Sequence, residues 1–94
     1  MDNKKVLEVV QTYRNYFEDN KIGKIDYPHR LIVKLRIYVL SHCHGMLDKM
    51  EGFVKEDRMS KAFRWLGFIQ GCLWAMGCYT SEELKNHNRP RNPD

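Results

Sequence analysis

The sequence predicts an all-α fold: a small helical bundle of three main helices plus a short C-terminal helix, one domain over 1–94, associating with copies of itself. Three observations lead there. Apolar residues recur at helical spacing through three long segments. The three prolines, at 28, 90 and 93, interrupt none of them. The third segment is apolar nearly all round, more surface than one thin bundle can cover.

The first helix is expected from about Asn3 to Asp19, with Val6, Val9, Val10, Tyr13 and Phe17 on one stripe. Gly23, in the run from Asn20 to Lys24, reads as its stop. The second is expected to open at Pro28, with Asp26 as a nearby cap. Its core stripe would be Ile32, Leu35, Val39, Cys43, Met46, Met50 and Phe53. A second strip, Val33, Ile37 and Leu40, asks for another packing partner, internal or from a neighbouring subunit. Ser60 or Asp57 would cap the third helix, Lys61 to Met76. There Gly67, Gly71 and Ala75 recur at spacing four, a lane without bulk where the second helix is expected to pack closely. Phe63 and Trp74 are expected in the core beside Tyr13 and Phe17. Gly77 ends that helix, and Thr80 with Glu83 forms a capping box for a short helix to about His87. Residues 88–94 read as a polar tail.

A chain of 94 residues buries roughly two-thirds of its unfolded surface, enough for one thin core and no separate cofactor domain. The three cysteines are odd in number and too few for a disulfide framework, which points to a reducing cytoplasm. No signal peptide or membrane span is read. His42-Cys43-His44 invites a metal, but on a helix residues two apart face nearly opposite ways, so no metal or other cofactor is expected. No phosphate loop, nucleophile elbow or zinc-protease motif is present, and the reading is non-enzymatic.

The net charge of +4 is spread along the chain with acids interleaved, so duplex DNA is a weaker partner than a small anion. Lys61, Arg64, Trp65 and Gln70 are the candidate ligand residues: cations for phosphate, an indole to stack a base, an amide for a base edge. For Trp65 core or interface packing is the favoured reading over stacking, and for Arg64 the alternative is snorkelling from the bundle edge or an ion pair with another helix. Arg30 and Lys34 are second-choice phosphate contacts.

Residues 61–90, with the run Arg64-Trp65-Leu66-Gly67-Phe68-Ile69-Gln70-Gly71 followed by Leu73-Trp74, Gly77 and Tyr79 to Pro90, resemble a family of small, uncharacterised accessory proteins of tailed bacteriophages, marked by an R-W-L-G-F-x-Q-G-x-L-W signature. The resemblance covers about the C-terminal third and carries over no catalytic residue. It implies an accessory or anti-defence protein acting in the host cytoplasm. Together the expectation is a homo-oligomeric sponge for a phosphate-bearing ligand such as a cyclic nucleotide. The alternative is a stoichiometric inhibitor that docks an apolar helical face on a host protein.

Overall fold

Helix α1 spans Asn3–Asp19, as its apolar spacing predicts, and buries Val6, Val9, Val10, Tyr13 and Phe17. Asp2 caps it, its carboxylate accepting the Lys5 N–H at 2.8 Å. The computed structural model describes residues 1–28, 32 and 34–90. Its other helices are α2 (Arg36–Lys55), α3 (Met59–Ala75) and α4 (Ser81–Asn88). Helix α2 is central, packed on α1 and α3, while α4 lies against α1 and α3. The described residues measure 42 × 29 × 20 Å, so the shortest dimension is two helix layers.

α1 stops before the glycine expected to end it. Lys21 takes the left-handed conformation at φ +58°. Its N–H donates to Glu18 O at 3.0 Å, and the Ile22 N–H donates to Phe17 O at 2.8 Å. This double bond pattern satisfies the last carbonyls of the helix and turns Ile22 into the core. Where Ile22 has to go, rather than where glycine stands, sets the end.

From Ile22 to Tyr27 the chain forms a strap running antiparallel along α2. The His44 ring, through Nδ1, donates to Ile22 O at 2.7 Å. The Ile25 N–H donates to Ser41 O at 3.1 Å, and the Tyr27 N–H donates to His42 Nδ1 at 3.4 Å. A Cβ on Gly45 would sit 3.3 Å from Ile25 O, so glycine permits this close approach. Both histidines considered for a metal are thus engaged by the strap.

The strap explains why α2 begins at Arg36 and not at Pro28. The chain first runs back along the side of α2 and enters the helix only afterwards. Ile32 (79% exposed) and Leu35 (56%) are therefore outside the core instead of leading its stripe. Val33 and Arg30 lie outside the described residues. Leu40, placed on the second strip, is fully buried, and Ile37 is exposed. Because α2 meets α1, α3 and the strap, its burial spreads to Leu47, Val54, Ser41 and His44 beyond any single stripe. Asp26 caps no helix among the described residues; it pairs with Lys49 at 3.2 Å. Arg14 bridges α1 to α2, donating to Asp48 at 3.0 Å and to Glu51, while Lys24 of the strap reaches Asp48 at 2.9 Å.

Neither Ser60 nor Asp57 caps α3, whose N-cap position is Arg58 without a side-chain bond. Asp57 is used one step earlier: at φ +58° it closes α2, with the Arg58 N–H donating to Phe53 O at 2.8 Å. Gly77 closes α3 in the same way at φ +75°. The capping box of α4 forms as its residues predict, with Thr80 N–H donating to Glu83 Oε1 at 2.9 Å and Glu83 N–H to Thr80 Oγ1 at 3.1 Å. Of the expected tail, residues 91–94 lie outside the described residues.

Candidate functional site

Helix α3 buries Ala62, Leu66, Ile69 and Leu73, a stripe at helical spacing aimed at α2 and α4. The opposite side carries Arg64, Gly67, Gly71 and Ala75, all exposed. The expected packing of α2 on that glycine lane does not occur: a Cβ on Gly67 or Gly71 would meet nothing within 4 Å. Among the described residues no element covers this side. For the same reason Phe63 (40% exposed) and Trp74 (61%) stand at the surface and not in the core, and Phe68 is 54% exposed. An open lane flanked by aromatic rings results, with Arg64 in it and no ion-pair partner for that guanidinium among the described residues.

The four main candidate ligand residues do not converge. Lys61 and Trp65 lie on one flank of α3 as a packed cluster. The Lys61 ammonium sits 4.7 Å from the centre of the Phe53 ring and 5.9 Å from that of Trp65. Trp65 meets Phe53 edge-on at 4.9 Å and is half-buried. Arg64 stands on the exposed side. Gln70 is on the other flank, fully engaged. Its amide nitrogen donates to the Tyr13 hydroxyl at 2.9 Å and to Asn88 Oδ1 at 2.8 Å. Its oxygen accepts from Asn88 Nδ2 at 3.1 Å. Lys34 is exposed and outside the helices, and Arg30 lies outside the described residues.

Gln70 belongs instead to a polar network that fastens α4. The Tyr13 hydroxyl, which accepts from Gln70, also bonds His87 Nδ1 at 2.9 Å. Burial pushes Tyr13 up to about 12, against a lowering by the Gln70 bond. Burial lowers His87, with Glu83 opposing and Lys5 assisting. Tyr79 stacks edge-on against His87 at 4.8 Å. An open groove of about 320 Å³ adjoins this network, lined by Met1, Phe63, Leu66, Gly67, Gln70 and Asn88. It reaches the glycine lane at Gly67.

No family model, curated protein or solved structure matches this chain. Function has to be read from the chain's own chemistry. Among the described residues no helix is long and apolar enough to cross a membrane. Also among them, no group of three or more His, Cys, Asp or Glu side chains is placed to hold a metal ion. Sequence reasoning missed Tyr13, His87 and Asn88 as site residues. The one signal was Gln70, whose amide, once buried, needs partners.

Proposed function

We propose that the protein is a non-enzymatic binding protein that works as a homo-oligomer, with the exposed face of α3 as its working surface. On this reading it sequesters a phosphate-bearing small ligand, such as a cyclic nucleotide, where copies meet. One observation supports it above the rest: the lane at Gly67, Gly71 and Ala75 is open and rimmed by exposed Phe63, Phe68 and Trp74, with Arg64 inside it and without an ion pair among the described residues. Glycines with free space above them let a second helix approach closely, and burial of the rings drives association. Arg64 then supplies the phosphate contact. Trp74 is more exposed than Trp65 and is the better ring for a base. Lys61 adds positive charge from the flank. Gln70 would read a base edge only by leaving Tyr13 and Asn88. The phage resemblance adds the setting: an accessory, anti-defence role in the host cytoplasm.

The second reading, a stoichiometric inhibitor docking the same face on a host protein, draws on Gln70 being occupied. It also draws on three exposed aromatic rings around one arginine, the composition that concentrates binding energy at protein interfaces. Light scattering with a thermal-shift panel of mono-, di- and cyclic nucleotides separates the two. The sponge requires an oligomer at micromolar concentration and a ligand shift. Ligand at 100 times its dissociation constant stabilises by about 2.7 kcal/mol, several degrees in a chain this short. Arg64→Ala should abolish that shift. A monomer with no shift, whose protein partner is lost in Trp74→Ala, would replace the sponge by the inhibitor.

A further inference from the structure

The strap is fastened to the first turns of α2, with the Tyr27 ring 5.9 Å from that of Tyr38 and 6.2 Å from that of His42. Ile25, Leu35, Ile37 and Tyr38 are exposed around this joint. Ile32, also exposed, stands within about 11 Å of Leu35 because only three residues separate them. Apolar surface therefore collects where the chain enters α2. Charge collects there too. Residues 20–38 hold five cations, Lys21, Lys24, Arg30, Lys34 and Arg36, against one acid, Asp26, a local net of +4. That equals the formal charge of the whole chain, and elsewhere acids and cations balance. The first turn of α2 has no acid, and Lys34 and Arg36 have no ion-pair partner among the described residues. Asp26 is already paired with Lys49.

We propose that this patch adsorbs the protein onto an anionic lipid surface. Isoleucine and leucine side chains gain by entering the boundary between headgroups and acyl chains, and tyrosine rings settle at headgroup depth. Lysine and arginine among them meet the lipid phosphates, their stems lying along the apolar surface. Lys34, Leu35, Arg36 and Ile37 alternate the two kinds in consecutive positions. A second copy is a poorer occupant, since a two-fold pair brings the basic patch against itself with Asp26 already engaged. Duplex DNA would take the charge but leave the isoleucines in water. A lipid surface satisfies both, and adsorption needs no helix that crosses it. The patch belongs to the strap and α2, so its binding is read independently of the α3 lane.

The test mixes the full chain with vesicles of phosphatidylcholine alone and of an equal mixture with phosphatidylglycerol, then sediments them and measures the protein carried down. Partition onto the mixed vesicles should exceed that onto the neutral ones by at least about tenfold, and added salt should erode the difference. Lys34→Gln should weaken it about fivefold, the worth of one cation beside such a surface. Lys55→Gln makes the same change in net charge at the far end of α2 and should leave partition unaltered. Leu35→Ser with Ile37→Ser should weaken it by about tenfold or more. Leu35 is the N-cap of α2 and makes no side-chain bond there, so the serine supplies a cap where none existed. A melting curve of each variant establishes that it folds. No partition onto either vesicle, equal partition onto both, equal losses from Lys55→Gln and Lys34→Gln, or a folded serine variant that partitions like the wild type would each overturn the proposal.

Discussion

The Tyr13 hydroxyl ties three helices together through two side-chain hydrogen bonds. It accepts from Gln70 and bonds His87 Nδ1, joining α1 to α3 and α4. Tyr13→Phe removes it without opening a cavity but leaves a donor on Gln70 and the Nδ1 of His87 unmatched. The cost should be about 1–3 kcal/mol, measurable by urea unfolding. The same atoms set the pH dependence. His87 is held below its ordinary value of 6.5, so the unfolded chain binds that proton more readily, and stability should fall as pH drops through 6.5. At the alkaline end the unfolded tyrosine ionises near 10 and the folded one near about 12, so this contribution is lost as pH rises between them. Melting curves across pH should show both flanks in the wild type, and the alkaline one should shrink in Tyr13→Phe. That Gln70 needed partners was legible in the sequence. Which partners was not, because they stand on helices at opposite ends of the chain.

At the scale of elements, local chemistry was legible and docking was not. α1 follows from its apolar spacing, and the start of α4 from Thr80 and Glu83, because each signal lies within a few residues of what it controls. The start of α2 was misread because the strap from Ile22 to Tyr27 pairs with Ser41, His42 and His44, contacts that no local pattern encodes. Lys21 and Asp57, neither of them glycine, close α1 and α2 at φ +58°, where the sequence pointed to Gly23 as the stop of α1 and to Asp57 as a cap of α3. Left-handed backbone costs such residues about 1 kcal/mol, so Asp57→Gly should raise stability by roughly 0.5–1 kcal/mol in thermal unfolding. The glycine lane of α3 was expected to take the close approach of α2, which packs instead on the opposite side of α3. With open space above it, Gly71→Ala should stabilise the monomer by up to about 1 kcal/mol through helix propensity alone. Gly71→Leu should fold as well and yet weaken self-association, which light scattering would show.

Across the whole molecule, cohesion is graded. α2 touches α1, α3 and the strap, whereas α4 contributes one buried apolar side chain, Leu84, and is otherwise held by His87 and Asn88. Local opening free energies follow buried contact, so the amides of α4 should exchange with deuterium well before those in the middle of α2. Tyr13→Phe should speed exchange in α4 and leave α2 protected until global unfolding. Each such excursion of α4 frees Asn88 and His87 from their partners and gives water the Gln70 amide at the edge of the groove. An engaged glutamine thereby carries a clock: the rate at which its side chain can greet any visitor is bounded by the breathing of eight residues.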